Sequence, residues 1–261
     1  MLLGIALFSF VTRSPFYANA SFFIIYIKAF FPKVLDSGRK VGYNNSTMRY
    51  THIIWDFNGT LLCDMEIGIA ATNQMLGKRG LPLIRDIAAY REIFGFPVQQ
   101  YYARLGFDMQ KEDYHTVLAP EWVALYNEKS AEAPLFDGVR ELCDALRAQG
   151  VHQSILSASE REMMLAQLEE RGALAWFDEV WGTGSIHAHG KGALAEAWCE
   201  AHPDAQTLLI GDTDHDFEVA QRMGADCILI ANGHQSFERL LQCGVPVVRD
   251  LREAGELLGV M

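Results

Sequence analysis

The stretch Thr51-His52-Ile53-Ile54-Trp55-Asp56-Phe57-Asn58-Gly59-Thr60 is a short, β-prone apolar run that ends on an acid and breaks at once into a turn. A second acidic turn, Gly211-Asp212-Thr213-Asp214-His215-Asp216, follows another apolar run at Thr207–Ile210. Runs of the same kind lie at Val151–Leu156, Glu179–Trp181 and Cys227–Ile230. Between them, Gly138–Gln149, Glu160–Arg171, Lys191–Ala201 and Asp216–Met223 are rich in Ala, Leu, Glu and Arg, a helical composition, and several end in glycine. Strands alternating with helices predict an α/β fold built on a doubly wound parallel sheet. Open sheets of this kind bind ligands beyond the carboxyl ends of their strands, so the two acidic turns converge on one cation. Mg²⁺ is the natural choice, a hard ion that takes oxygen ligands and bridges one or two carboxylates to a phosphate.

The alternation breaks between residues 65 and 134. There Ile67–Lys78, Val98–Leu105 and Tyr114–Tyr126 read as successive helices with little strand signal. This segment is expected to be a helical cap inserted after the first strand, with residues 48–64 and 135–261 forming the core. Residues 1–47 differ again. They hold five basic side chains (Arg13, Lys28, Lys33, Arg39, Lys40) and one acid (Asp36), a net of +4, which leaves −15 for the remainder. The uncharged windows Met1–Thr12 and Ser14–Ile27 are 12 and 14 residues long. Both fall short of the roughly 17–25 needed to span a bilayer. Ala18-Asn19-Ala20 has the look of a cleavage site but lacks a basic region before it. The preferred reading is an apolar, basic leader ahead of a self-contained protein beginning at Met48, located in the cytoplasm, with secretion or anchoring the minority alternative.

The whole chain of 261 residues carries 22 basic and 33 acidic side chains, a net charge of −11. That charge repels nucleic-acid backbones and anionic membrane surfaces, so no nucleic-acid partner is expected. Five cysteines without a Cys-x-x-Cys pair fit reduced thiols rather than a disulfide scaffold.

Asp56, Ser157, Lys191 and the Asp212/Asp216 pair follow one another at separations of 101, 34 and 21 residues up to Asp212. In this order, together with Pro134-Leu-Phe-Asp-Gly138 and the run Asp216–Gly224, they resemble the haloacid dehalogenase superfamily of phosphohydrolases, in particular its phosphoglycolate-phosphatase-like branch with a helical cap. The resemblance covers essentially all of residues 48–261. It implies hydrolysis of a small phosphorylated metabolite through an aspartyl-phosphate on Asp56. It also implies Mg²⁺ held by Asp56, the main-chain carbonyl of Asn58, Asp212 and Asp216. Ser157 would hydrogen-bond a phosphoryl oxygen, Lys191 would oppose the negative charge, and Gly59 and Thr60 would bring backbone N–H groups to the phosphate.

One position departs from that pattern. The family's phosphatases carry an acid two residues after the nucleophile, where this chain has Asn58. An amide cannot deliver and recover a proton near neutral pH. The expectation is a phosphatase weakened or specialised by Asn58. The alternative is a catalytically impaired phosphate-binding or regulatory protein on the same fold.

Other features rank lower. Arg91, ahead of Gly95-Phe96-Pro97, is a candidate for a substrate carboxylate, with a plain surface arginine as its counterpart. Asp216 reads both as support for the metal and as a helix cap. Leu118, Trp122 and Tyr126 recur at helical spacing and read as packing. His187-x-His189 with Cys199-x-x-His202 matches no structural zinc module.

Overall fold

A computed structural model describes residues 48–184 and 191–261. The leader 1–47 and the pair His187 and His189 lie outside the described residues. Six parallel strands form one sheet in the order β3-β2-β1-β4-β5-β6, with β1 His52–Trp55, β2 His152–Glu160, β3 Glu179–Thr183, β4 Thr207–Gly211, β5 Asp226–Ile230 and β6 Val247–Val248. In chain order the α-helices are α1 Met65–Lys78, α2 Ile87–Ile93, α3 Val98–Arg104, α4 Ala119–Asn127, α5 Val139–Ala148, α6 Arg161–Glu170, α7 Gly192–Ala201, α8 Asp214–Met223, α9 Phe237–Leu240 and α10 Leu251–Leu258. The fold is the α/β doubly wound parallel sheet expected from the alternation of strands and helices.

Both faces of the sheet are buried, which is why its strands read as nearly continuous apolar runs. Successive side chains point to opposite faces. Ile53 and Trp55 of β1, with Leu208 and Ile210 of β4, therefore pack on one side with Leu142, Leu168 and Leu251. Ile54 and Leu209 pack on the other side with Trp198, Val219 and Leu240. The strand order reverses between β1 and β4, so the turns after these two strands open side by side at the switch point of the sheet.

Four helices lie between β1 and α5: α1 Met65–Lys78, α2 Ile87–Ile93, α3 Val98–Arg104 and α4 Ala119–Asn127. They enclose an apolar cluster of their own that includes Met75, Leu76, Tyr90, Tyr101, Tyr102 and Leu118. The chain returns beside its point of departure. Cys63 N–H donates to Pro134 O and Phe136 N–H to Leu61 O, both at 2.9 Å, and Leu62 bridges Leu135.

Three local differences from the sequence reading have physical causes. The single helix expected over Tyr114–Tyr126 is a π-helical turn, Tyr114–Leu118, leading into α4. Pro120 in the first turn of α4 has no N–H to bond backward, so the wider turn stands before it. Strand β2 runs four residues past Leu156, and its pairing with β3 shifts register between Leu156 and Glu160. The two-residue β6 gives too short an apolar run to be recognised without its neighbour β5.

Trp55 is fully buried, and its indole N–H donates to Gln153 Oε1 at 3.2 Å. Trp55→Ala is expected to cost about 3–5 kcal/mol, through the cavity and the stranded Gln153 carbonyl, as read by urea denaturation.

Candidate active site

Asp56 stands one residue past β1, with its N–H on Ile210 O of β4 at 2.9 Å, which fixes the start of the turn against the neighbouring strand. Its carboxylate is buried and takes a short ion pair from Lys191 Nζ on Oδ1. On Oδ2 it accepts the Thr60 hydroxyl at 3.1 Å. That hydroxyl also lies 3.2 Å from Asp212 Oδ1, so Thr60 shares its one proton between the turns after β1 and β4. Lys191, the residue before α7, reaches Asp216 Oδ1 as well, at 2.6 Å. Asp216 Oδ2 accepts the Thr213 hydroxyl at 2.7 Å and the Thr213 N–H at 3.0 Å, closing a capping box at the start of α8. Asp216 thus caps the helix and positions the lysine at once.

The turns leave no room for side chains where they cross. A Cβ on Gly59, whose φ is +79°, or on Gly233 would collide with the Asp212 carboxylate. The His234 N–H donates to Asp212 Oδ2 from the same loop.

The carboxylates of Asp56, Asp212 and Asp216 lie within 4.8 Å of one another, all buried, with one lysine among them. Burial, followed by the neighbouring charges of Asp56 and Asp216, drives the Asp212 carboxyl well above its ordinary range. Burial raises Asp56 to about 6 despite the opposing pull of Lys191. For Asp216 the burial penalty is outweighed by the Lys191 ammonium and the Thr213 donors, and its carboxyl is held below the ordinary value. The same carboxylates outweigh burial at Lys191 and raise it. A buried all-oxygen set with surplus negative charge suits a hard divalent cation such as Mg²⁺.

The remaining expected residues fall as follows. Ser157 is buried within β2, at the register shift, and its Oγ accepts the Ser159 N–H at 3.1 Å. Ser157 lines the same cavity as Lys191 and Asp56. The Gly59 and Thr60 N–H groups donate to Leu62 O and Phe57 O, at 2.9 and 3.3 Å. In this conformation neither amide is free for a ligand, and Thr60 is fully buried with its hydroxyl on Asp56 and Asp212. Arg91 does not line the cavity. Its guanidinium donates to Gly233 O at 2.8 Å and Asn232 O at 2.9 Å, fastening α2 to the loop after β5. The loop it introduces meets the cavity through Phe94 and Phe96 instead.

Asn58 is held on both ends of its amide. Nδ2 donates to Asp64 Oδ2 at 2.6 Å and to Tyr126 OH at 3.3 Å, while Oδ1 accepts the Ser159 hydroxyl at 2.6 Å. The Tyr126 hydroxyl also donates to Asp64 Oδ2, at 2.7 Å. Asp64 and Tyr126 were not legible as site residues. An Asp directly before a helix reads as an ordinary cap, and a Tyr at helical spacing reads as core. Asp64 in fact makes no cap bond to α1, and the one available signal was its closeness in sequence to Asn58.

With no cation bound, the folded chain keeps protons on Asp56 and Asp212 over a range in which the unfolded chain has released them. Folding stability therefore falls as pH rises from the ordinary carboxylate range toward about 6. Thermal unfolding with and without Mg²⁺ is expected to show a larger Mg²⁺-induced rise in Tm near about pH 7.5 than near about pH 5. Asp212→Asn is expected to raise the Tm of the ion-free protein and to shrink its response to Mg²⁺.

Comparison with known proteins identifies the family. A family model described as haloacid dehalogenase-like hydrolase matches residues 53–230. A Dickeya dadantii protein named "Probable phosphatase IndB" is 26% identical over 206 residues, 76% of this chain and 88% of that protein. A Pseudomonas putida protein named phosphoglycolate phosphatase is 23% identical over 190 residues, 70% of each chain. Among solved structures, a haloacid dehalogenase-like hydrolase from Streptococcus pneumoniae superposes with a TM-score of 0.67 at 22% identity, covering 78% of this chain and 96% of that one. With the family model spanning well over half of its length, and the strand-end aspartates set as described, the chain belongs to the haloacid dehalogenase-like hydrolases.

Proposed function

We propose that the protein is a Mg²⁺-dependent phosphohydrolase that cleaves a small phosphomonoester through an aspartyl-phosphate on Asp56. The observation that carries this reading is the state of Asp56. It is a buried carboxylate at a strand end, with one oxygen on Lys191 and the other on Thr60, facing a cavity. The names of the Dickeya and Pseudomonas relatives support it.

A carboxylate held from both sides is oriented for attack and loses little freedom on reaching the transition state. An Asp56 oxygen forms the bond to phosphorus as the ester P–O bond breaks and the leaving group departs as the alkoxide, which takes its proton from water. Water then attacks phosphorus, the bond to Asp56 breaks, and inorganic phosphate is released with the carboxylate restored. Lys191 keeps its ammonium against the charge shared by Asp56 and the phosphoryl group, and Ser157 presents its hydroxyl to a phosphoryl oxygen. Mg²⁺, held by Asp56, Asp212 and the Asn58 main-chain carbonyl with Asp216 in support, supplies charge neutralisation when bound. Residues 65–134 act as a cap, closing over the strand ends and supplying the walls of the cavity.

Asn58 stands where a proton donor is expected, and its amide is spent on Asp64, Tyr126 and Ser159. The test uses residues 1–261 with Mg²⁺ and a series of substituted phenyl and alkyl phosphates. Asp56→Asn is expected to abolish turnover. In the parent, rates are expected to fall steeply as the leaving alcohol becomes less acidic, and Asn58→Asp is expected to restore the poor leaving groups by about 10²-fold or more. A flat dependence in the parent would overturn the reading that Asn58 deprives the enzyme of its proton donor. Tight ester binding with no turnover in the parent would favour the phosphate-binding alternative.

A further inference from the structure

The cavity over Asp56 has a volume of about 200 Å³ and a surface that is mostly apolar. Three of its half-buried lining residues come from separate elements: Phe96 from the loop between α2 and α3, Val123 from α4 and Met163 from α6. None of the three joins an apolar cluster that holds the sheet or the helices together. Packing of the fold therefore does not account for them, and apolar surface gathered in a concave site marks a place where a ligand buries its own. Phe94 and Trp122, also half-buried, add two more rings to the lining.

The rings are held before any ligand arrives. Trp122 stacks on Tyr126 at 4.8 Å, and its indole N–H donates to the Thr72 hydroxyl at 3.1 Å. Phe96 stacks on His215 at 4.5 Å, and Phe94 lies 4.8 Å from the His234 ring. The loop that carries both phenylalanines is fastened from α9. Arg239, paired with Asp214 at 2.7 Å, also donates to the Phe94 carbonyl, and a Cβ on Gly95 would come within 2.9 Å of its guanidinium. Rings fixed in this way lose little freedom when a ligand settles among them.

The same wall offers little to a charged alcohol part. Among the described residues lining the cavity, the basic side chains are Lys191, already paired with Asp56 and Asp216, and His234, bonded to the Tyr90 hydroxyl at 2.8 Å. Arg91 is committed to backbone carbonyls. Resting on the phosphohydrolase reading, we infer that the substrates are phosphomonoesters whose alcohol part carries a flat, uncharged ring, received against Phe94, Phe96 and Trp122 and seated on Val123 and Met163. A carboxylate in its place, as in phosphoglycolate, finds no free cation there. Phe96 and Met163 are then residues that set specificity, separate from the Asp56 chemistry.

The experiment measures binding to the parent protein with Mg²⁺ by calorimetry, using phosphonates that cannot be hydrolysed. The set is 2-phenylethyl-, 2-cyclohexylethyl- and propylphosphonate with 3-phosphonopropionate, which stand for benzyl, cyclohexylmethyl and ethyl phosphate and for phosphoglycolate. The phenyl compound is expected to bind about 10- to 100-fold tighter than the propyl one, with the cyclohexyl compound between them and 3-phosphonopropionate weakest. In Phe96→Leu and in Met163→Gln the phenyl-to-propyl ratio is expected to fall by about 3- to 10-fold. Phenyl and propyl compounds within about 3-fold of each other, equal binding of the phenyl and cyclohexyl compounds, tightest binding of 3-phosphonopropionate, or an unchanged ratio in both variants would each overturn the inference. The parent series alone decides it should either variant fail to fold. The corresponding esters, all of primary alcohols so that the leaving groups are alike, separate the inference from the reading beneath it. Turnover of every ester without preference keeps the hydrolase and removes the ring pocket. Ordered phosphonate binding without turnover of any ester removes the hydrolase reading and leaves the ring pocket standing.

Discussion

The Lys191 ammonium, set between Asp56 and Asp216 with Thr60 tying Asp56 to Asp212, is the contact on which the rest of the structure depends. Taking several charges out of water is expensive, and their mutual attraction offsets the cost only when geometry and hydrogen bonding are both good. Here the partners come from the turns after β1 and β4, the start of α7 and the first turn of α8. Only Asp56 with Thr60, and Asp212 with Asp216, are near each other in sequence. The sheet order, with β1 beside β4, is what makes the cluster possible. The cluster in turn explains features that otherwise look arbitrary. Glycines occupy positions 59 and 233 because a side chain would displace Asp212. Thr213 and Asp216 hold each other in a capping box so that the second carboxylate oxygen faces the lysine.

A second layer of polar contacts joins this centre to the helices above it. Asn58, two residues from Asp56, is bonded to Asp64 at the entry to α1, to Tyr126 of α4 and to Ser159 of β2. Arg91 and Arg239 add further ties, Arg91 to the loop after β5 and Arg239 from α9 to Phe94 O and Asp214. The walls over the strand ends are thus held in place by bonds to the same turns that carry the chemistry. The composition of those walls follows from the helices themselves. Their inward faces are apolar and aromatic because they must pack together away from the sheet, and a cavity among them inherits those rings.

Much of the fold was legible in the sequence because the signal is local. Apolar runs of four or five residues, each followed by a turn, alternate with helical segments, and their order alone implies parallel strands joined by crossovers. Asp56 and the Asp212/Asp216 pair were legible because each follows an apolar run at the start of a turn, whereas Ser157 and Lys191 were legible through the resemblance to the haloacid dehalogenase family. What escaped depended on neighbours. The π-helical turn before Pro120, the extension of β2 and the two-residue β6 are set by packing and pairing, and propensity carries no trace of them. Among the described residues no helix is long and apolar enough to cross a membrane, and that too is a matter of element length.

The sequence by itself determined the strand and helix order, the acidic turns at strand ends, the surplus of negative charge and the amide at position 58. Period, turn chemistry and residue type are properties of the chain, and they survive without knowledge of what lies opposite. Tertiary structure alone decided which groups face one another. It bonded Arg91 to backbone carbonyls, made Asp216 both helix cap and lysine partner, and brought Tyr126 and Asp64 onto Asn58. It also left one oxygen of Asp64 buried without a hydrogen-bond partner. Those outcomes rest on distances across the fold, where burial removes water and the partner a polar group finds is whichever one the packing brings within hydrogen-bond reach.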